Sequence, residues 1–292
     1  MRKRMRRVAA GLAATMALWS AAEAACREDA QGDARYVICD FDPARHDIRL
    51  FLNDEAGEPY GDFGPVSAAL EAQGEKLLFA MNAGMYHEDR SPVGLYIENG
   101  EERKKISTKD GPGNFHLKPN GVFWMDDAGG AHVTKTEDFI AQFPSPACGR
   151  GVRGEGEEAE TTRSTCGAKN DSPSPPTPLP QAGEGSRVIF ATQSGPMLVI
   201  AGAIHPRFLV DATSGKRRNG VGVTEDGTVI FALSDTAVTF HEFATYFRDA
   251  LDCPNALYLD GTISRLYAPE LDRNDPGVAM GPIVGIVGEA ER

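Results

Sequence analysis

The sequence predicts an α+β fold in which a mixed, largely antiparallel sheet is combined with a few helices. Many short apolar segments have the length of strands, and Gly, Pro, Asn or Asp residues separate them. Only two or three segments show helical periodicity, and they do not alternate regularly with the strands, as they would in a βαβ architecture. With 292 residues, 41% of them hydrophobic, the chain has enough apolar material for a real core.

The N-terminus has the pattern of an export signal. Residues 1–7 (MRKRMRR) are basic, residues 8–19 are apolar, and residues 22–24 (AEA) fit the small-x-small cleavage pattern. The apolar run is shorter than the ~20 residues of a transmembrane anchor. Lipid attachment at Cys26 is a second alternative, but a Glu stands three residues before it, where a lipobox has Leu. We therefore expect a signal peptide over 1–24, no membrane span, and a periplasmic or secreted protein.

The charge balance argues against nucleic acid as a partner. The formal charge is −12, and residues 25–292 carry 25 basic against 41 acidic side chains. Affinity for a nucleic acid duplex depends on cationic side chains that displace counterions. An anionic ligand must therefore be met by a local basic cluster.

The cysteines are interpreted in the light of export. We predict a disulfide between Cys26 and Cys39, because disulfides persist in oxidising compartments; two unlinked thiols are the alternative. Cys253 is predicted to be a partly buried thiol beside a strand. The sequence has no CxxC motif, so neither a zinc ribbon nor a thioredoxin-type redox pair is indicated.

Residues 144–186 do not have the composition of a packed domain. They include seven Pro and seven Gly but no Ile, Phe, Met, Tyr or Trp, and such a segment buries too little apolar surface to offset its chain entropy. A native surface loop is the alternative, although loops of this length are uncommon inside compact domains. We expect a disordered Pro/Gly-rich insertion within a single domain formed by residues 25–143 and 187–292. Loop closure costs little more as a loop lengthens, so the domain can tolerate the insertion.

Strands are expected on both sides of the insertion. The predicted strands cover residues 47–53, 76–81, 93–98, 121–125, 188–192, 197–201, 220–224, 228–233, 255–259 and 282–287. The segment 225–227 (EDG) predicts a hairpin turn between two of them.

Two helices are predicted. The first covers residues 65–73 and ends at Gly74. The second begins at Thr239, because Thr239 and Glu242 have the spacing of a capping box. Apolar residues continue with helical spacing at Phe240, Phe243, Phe247 and Leu251. A catalytic acid is the alternative role for Glu242, but capping explains this residue adequately.

Four polar segments that contain glycine end or follow predicted strands. They are residues 82–86 (NAGMY), 193–196 (QSGP), 217–222 (RRNGVG) and 259–264 (LDGTIS). Each places a polar side chain beside a Gly, where the backbone can turn sharply or approach a ligand closely. One such segment is typical of an ordinary turn, but four of them indicate a candidate site.

In this order, the four segments resemble the phosphodiester glycosidase family, which includes the lysosomal uncovering enzyme. The strings at 114–123 (NFHLKPNGVF), 191–199 (ATQSGPMLV) and 256–261 (ALYLDG) are similar to its exported bacterial branch. The resemblance covers roughly residues 35–288 apart from the insertion. It implies the family's fold and a hydrolase that removes a sugar from a glycosyl phosphodiester. Thr262 stands where the animal enzyme has a second Gly, so the resemblance leaves the substrate unspecified.

The resemblance implies two catalytic residues, Arg218 and Asp260. Arg218 can bind phosphate through two parallel hydrogen bonds, and its neighbours Lys216 and Arg217 add positive potential. Asp260 is the candidate carboxylate near the anomeric carbon. The alternatives are a solvated basic turn for Arg218 and a turn-forming Asp for Asp260.

Further residues are predicted to bind substrate. These are Asn82, Gln193, Ser194, Gly195, Gly261, Ser264, His116 and Lys118. For Asn82, Gln193 and Ser194, the alternative is that they satisfy backbone groups in loops. His116 and Lys118 belong to a second local basic group with Lys109. Ser194 is not in a nucleophile elbow, because Thr192 occupies a position where that motif has Gly.

No cofactor is predicted. Residues 111–114 (GPGN) lack the Gly-Lys-Ser/Thr of a P-loop, and the six histidines lack metal-site spacing. A divalent cation such as calcium, held by Asp260 and backbone carbonyls, is left open. Two function classes follow: a hydrolase of glycosyl phosphodiesters in an envelope or extracellular polysaccharide, and a non-catalytic module that binds anionic glycans. Only the hydrolase needs both Arg218 and the Asp260 carboxylate.

Overall fold

A computed structural model describes residues 25–144, 186–261 and 263–290. Antiparallel sheets and three short α-helices make up the described part of the chain, which confirms the predicted fold class. The predicted signal peptide lies outside the described residues. So does the predicted insertion, except for its two end residues, and its disorder stays a prediction.

The described strands and helices follow each other along the chain. The strands are β1 (Ala25–Gln31), β2 (Ala34–Phe41), β3 (Asp47–Phe51), β4 (Glu75–Asn82), β5 (Tyr96–Glu98), β6 (Glu101–Lys104), β7 (Gly121–Asp126), β8 (Ala131–Lys135), β9 (Val188–Ser194), β10 (Met197–Ile200), β11 (Ala203–Ile204), β12 (Asn219–Val223), β13 (Val229–Ser234), β14 (Asn255–Asp260), β15 (Leu266–Ala268), β16 (Arg273–Asn274) and β17 (Ile283–Glu289). The helices are α1 (Phe63–Glu71), α2 (Thr136–Gln142) and α3 (Phe240–Thr245).

The strands form three sheets. The first contains seven strands in the order β1-β2-β13-β12-β14-β10-β11. The second has the order β16-β15-β4-β17-β3, and the third has the order β6-β5-β9-β7-β8. Every pairing between these strands is antiparallel.

The three sheets enclose a common apolar core. Phe231, Phe79 and Phe123, one from each sheet, pack together there. The outer face of each sheet is covered by one helix: α3 on the first, α1 on the second and α2 on the third. Strands such as β7 are therefore buried on both faces, which explains their continuous apolar sequence.

Helix α3 has the predicted capping box. Thr239 Oγ1 accepts the Glu242 backbone N–H at 3.2 Å, and Glu242 Oε2 accepts the Thr239 backbone N–H at 2.7 Å. The capping interpretation of Glu242 is thereby confirmed. A π-helical turn, Tyr246–Ala250, continues the helix, and its Phe247 packs on the first sheet as the periodicity predicts.

The predicted disulfide links β1 to β2. Cys26 and Cys39 are cross-strand partners, and their sulfurs are 2.02 Å apart. Cys253 is a free and buried thiol, and burial raises its pKa to about 12. Cys148 and Cys166 lie outside the described residues.

Candidate active site

The ends of four strands from all three sheets meet at one place. β4 ends at Asn82, β9 ends at Ser194, β12 begins at Asn219 and β14 ends at Asp260. Hydrogen bonds connect β12 with β4 and β9 with β14 at these ends. The fold therefore brings together the four segments that the sequence singles out, one of which carries Asp260.

Two buried asparagines hold the backbone next to this point. Asn219 Oδ1 accepts the Asp260 backbone N–H at 2.7 Å, and Asn219 Nδ2 donates to Asn82 Oδ1 at 2.5 Å. Asn82 Oδ1 also accepts the Arg265 backbone N–H at 3.0 Å. Asn82 Nδ2 is buried and has no hydrogen-bond partner among the described residues. Buried donors are almost always paired, so this donor is a group that a bound ligand can satisfy.

Asp260 occupies the turn after β14. Its Oδ1 accepts the Gly261 backbone N–H at 2.5 Å, and its backbone oxygen accepts the Ser264 hydroxyl at 3.4 Å. The negative charge of Asp260 acts on two tyrosine phenols. Burial raises the pKa of Tyr86 to about 12 and also raises the pKa of Tyr258, and the negative charge of Asp260 adds to both shifts. Both phenols therefore remain neutral.

Arg218 is a fixed and largely desolvated cation. Only 3% of the residue is exposed. Its Nε donates to the Val238 carbonyl at 2.8 Å, and its Nη2 donates to the Ser214 carbonyl at 3.2 Å. The guanidinium lies 3.7 Å from the ring centroid of Phe240. Burial lowers the pKa of Arg218, and neighbouring Tyr258 opposes this shift. This burial contradicts the alternative of a solvated basic turn. The two carbonyls accept hydrogen bonds from only two of the five N–H groups of the guanidinium.

Tyr258 connects Arg218 to the Asp260 turn. A Cβ atom on Gly261 would lie 1.9 Å from the Tyr258 hydroxyl oxygen, so the hydroxyl packs directly against the Gly261 backbone. The Arg218 Cζ atom lies 5.6 Å from the Tyr258 ring centroid. A side chain at position 261 would displace the phenol, so this close approach favours glycine.

Gln193 and Ser194 make their hydrogen bonds inside the protein. Gln193 Oε1 accepts the backbone N–H groups of Leu95 and Ser107, both at 2.9 Å. Its Nε2 donates to the Ser107 carbonyl at 2.8 Å and to a threonine hydroxyl at 3.0 Å. Ser194 Oγ donates to a carbonyl of β14 at 2.9 Å. These contacts correspond to the loop-satisfying alternative, and a substrate contact by either residue stays a prediction.

The loop before β7 carries His116 and Lys118 and packs against Gly195. A Cβ atom on Gly195 would lie 2.5 Å from Asn120 Cβ. His116 Nδ1 lies 3.0 Å from a carbonyl of the same loop, and Lys118 Nζ donates to another at 2.7 Å. Lys118 also pairs with Asp110 at 2.8 Å. Both basic side chains thus support their own loop, and their contact with substrate stays a prediction.

Two open surface cavities of about 720 and 750 Å³ lie away from these residues. Asn82, Arg218, Asn219 and Asp260 line neither of them, so the hydrogen-bond network rather than cavity size defines the candidate site. Within the described ranges, no three His, Cys, Asp or Glu side chains are grouped to hold a metal ion. In the same part of the chain, no helix has the length and apolar content needed to cross a membrane.

Comparison with known proteins gives the family. Residues 75–283 match a family model described as phosphodiester glycosidase. The chain belongs to the phosphodiester glycosidase family. A relative from Escherichia coli K12, described as the uncharacterized protein YigE, is 31% identical over 227 residues, which span 77% of this chain and 71% of the relative.

A solved structure shares the family fold. The catalytic domain of zebrafish N-acetylglucosamine-1-phosphodiester alpha-N-acetylglucosaminidase, described as auto-inhibited by its pro-peptide, has a TM-score of 0.51 at 12% identity. The likeness covers 92% of this chain and 83% of the zebrafish chain. The phosphodiester glycosidase resemblance of the sequence is therefore confirmed, and at this identity the zebrafish structure shows the fold alone.

Four residues around the site are missing from the sequence-based prediction. Asn219 and Tyr86 lie in the polar segments already singled out, so their position was a usable signal. Tyr258 belongs to the apolar strand β14, so its sequence context predicts a core residue. Arg265 gave no signal, because its side chain is held by distant partners: its Nη2 donates to Asp62 Oδ2 at 3.0 Å, and its other nitrogens donate to two carbonyls beyond β16.

Proposed function

We propose that the protein is an exported hydrolase that cleaves a sugar from a glycosyl phosphodiester. In this reaction the bond between the anomeric carbon and the phosphate oxygen breaks, and water adds to the sugar. The products are a free sugar and a phosphomonoester. Membership of the phosphodiester glycosidase family supports this reaction class. So does the activity stated in the name of the zebrafish enzyme with the same fold.

One observation carries the assignment of roles. The Tyr258 hydroxyl packs against Gly261 of the Asp260 turn, and the Arg218 guanidinium lies 5.6 Å from the ring centroid of the same tyrosine, so one phenol is shared by the candidate cation and the turn that carries the candidate carboxylate. We assign the phosphate to Arg218 and the anomeric carbon to Asp260, which acts as a nucleophile or as a base for water. Phosphate is a good leaving group, so a strong general acid is not required.

Asn82 is assigned to substrate binding. Its Nδ2 is the unpaired buried donor of the site, and a hydroxyl of the sugar or a phosphate oxygen is a suitable acceptor. Its Oδ1 is already engaged by Asn219 and Arg265, which fixes the direction of the amide.

Export is supported by two features. The N-terminal sequence fits a signal peptide, and the Cys26–Cys39 disulfide suits an oxidising compartment. We place the enzyme in the periplasm or outside the cell, where it acts on envelope or extracellular polysaccharide.

The direct test is sugar release from a panel of sugar-1-phosphodiesters that differ in the sugar and its anomeric configuration. Each reaction is run with EDTA and with calcium, which tests a cation held by Asp260. Arg218→Lys is compared with Arg217→Lys, because Arg217 is exposed and adjacent. We expect release from at least one diester, loss of kcat/KM by at least ~10-fold in Arg218→Lys, and near-normal activity in Arg217→Lys. Binding of anionic glycans without release from any diester would favour the non-catalytic module.

A further inference from the structure

Two adjacent apolar side chains are exposed on the loop that leads to Arg218. Leu209 is 65% exposed and Val210 is 80% exposed, and Val278, at 61%, is the third exposed large hydrophobic residue in the described ranges. Leu209 and Val210 lie between β11 and β12. Single exposed apolar residues are ordinary, but a neighbouring pair beside a binding site needs an explanation.

An aromatic stack joins this loop to Arg218. Phe208, which precedes Leu209, stacks on Phe240 with ring centroids 4.8 Å apart and planes 10° apart. The guanidinium of Arg218 lies against Phe240, and its Nη2 bonds to Ser214 at the other end of the loop. Phe208 and Phe240 are partly exposed. The buried Arg218 guanidinium is therefore joined through Phe240 to an apolar strip formed by Phe208, Leu209 and Val210.

The arrangement gives the two esters of the phosphodiester different surroundings. The proposed function places the sugar beside Asp260 and the phosphate at Arg218. The Arg218 guanidinium packs on Phe240, and the Phe240 ring in turn stacks with Phe208. The second ester of the phosphate therefore has Phe240, Phe208 and the exposed pair as its apolar neighbours.

We propose that this second ester is a long apolar alcohol, so that the substrate is a glycosyl phosphodiester of a lipid-like chain. The inference rests on the proposed function, because that function places the phosphate at Arg218. The strip formed by Phe208, Leu209 and Val210 binds the chain, and Arg218 binds the phosphate at its end. A phosphate head with an apolar tail matches a cation next to an apolar surface.

Binding of simple alkyl phosphates tests the strip without requiring catalysis. Hexyl phosphate and methyl phosphate are the phosphomonoester products of the matching diesters, and their affinities are measured by titration calorimetry. We expect hexyl phosphate to bind at least ~10-fold more tightly. That ratio corresponds to about 1.4 kcal/mol, roughly the burial of two methylene groups.

Two variants test whether the strip itself, rather than any exposed apolar side chain, binds the hexyl group. The double variant Leu209→Ser with Val210→Ser should reduce the hexyl-to-methyl ratio to below about 3 while leaving methyl phosphate affinity unchanged. The matched control is Val278→Ser, which removes another exposed apolar side chain from a different loop and should leave the ratio unchanged. Equal binding of the two phosphates, or an equal loss of the ratio in the control, overturns the proposal.

Kinetics distinguish this inference from the proposed function. Hexyl and methyl phosphodiesters of the same sugar are compared by kcat/KM. Cleavage of both at equal rates, with equal phosphate binding, contradicts the apolar strip and leaves the hydrolase intact. No cleavage of either, with tighter binding of hexyl phosphate that the double variant abolishes, contradicts the hydrolase and retains the strip.

Discussion

Asn219 holds the backbone of Asp260, because its Oδ1 accepts the Asp260 N–H at 2.7 Å while its Nδ2 reaches Asn82 in another sheet. The candidate carboxylate is thus positioned from two sheets by one buried amide. A catalytic group held in this way needs little reorganisation when substrate binds.

Asn219→Ala should lower both stability and turnover. The substitution leaves buried polar partners unsatisfied, so we expect a loss of about 1–3 kcal/mol in the free energy of unfolding. Turnover should fall because the Asp260 turn loses its anchor. Urea unfolding and sugar release measure the two effects. Asn255→Ala is the control: Asn255 lies at the other end of the β12–β14 pair, and its Oδ1 accepts only a loop N–H, from Ala201. It should leave turnover unchanged, and an equal loss of turnover in both variants would argue against a specific role for Asn219.

Gly261→Ala should disturb the contact between Tyr258 and the Asp260 turn. The new methyl group would overlap the phenol oxygen, which we expect to cost about 1–3 kcal/mol of stability. Tyr258→Phe removes that oxygen and leaves the nearest ring carbon 3.1 Å from the methyl position. In a double-mutant cycle the combined variant should therefore be less destabilised than the sum of the single variants. Additive effects would show that the two groups are not in contact.

Glu98 predicts a pH dependence of stability. The Tyr96 hydroxyl donates to Glu98 Oε2 at 3.0 Å, but burial outweighs this bond and raises the pKa of Glu98 from its ordinary value of 4.5. The folded state disfavours the charged form. The contribution of Glu98 to the free energy of unfolding is therefore fully present below pH 4.5 and is lost as the pH rises through the raised pKa.

Glu98→Gln should remove this loss. We expect the variant to gain stability relative to the wild type between pH 4 and pH 7, measured by urea unfolding at each pH. Glu102→Gln is the control, because Glu102 is exposed on β6 close by. A difference between Glu98→Gln and the wild type that does not change with pH would contradict the assignment.

The predicted insertion is tested by removal. Residues 144–186 are replaced by a short Gly–Ser linker, and thermal unfolding is compared with that of the full chain. Because the segment lacks core-forming residues, the free energy of unfolding should change by no more than about 0.5 kcal/mol. A loss of several kcal/mol would mean that the segment packs against the domain.

Local patterns predicted the parts of the fold that depend on local physics. The capping box before α3, the EDG hairpin turn between β12 and β13, and the apolar strand β4 are of this kind. β6 and β1 were not predicted, because their sequences (EERK and ACREDAQ) are polar. Pairing with neighbouring strands, which lie elsewhere in the chain or across a turn, makes them strands.

The same distinction applies to the site. Asp260 and Asn82 were found because a polar residue beside a Gly at a strand end leaves a signal in the sequence. The internal hydrogen bonds of Gln193 could not be predicted, because their partners come from segments up to 98 residues away in the chain. The burial of Arg218 under Phe240 likewise depends on how α3 packs on the first sheet.

The turnover of Asp260→Asn tests the central claim most directly. The substitution is nearly isosteric and keeps an oxygen that can accept the Gly261 N–H, so the fold should be retained. Asp226→Asn is the matched control, since Asp226 also precedes a Gly but in an exposed hairpin turn. We predict that Asp260→Asn lowers kcat for sugar release by at least ~100-fold, while Asp226→Asn retains normal activity. Near-normal turnover in a folded Asp260→Asn protein would contradict the assignment of Asp260 as the catalytic carboxylate.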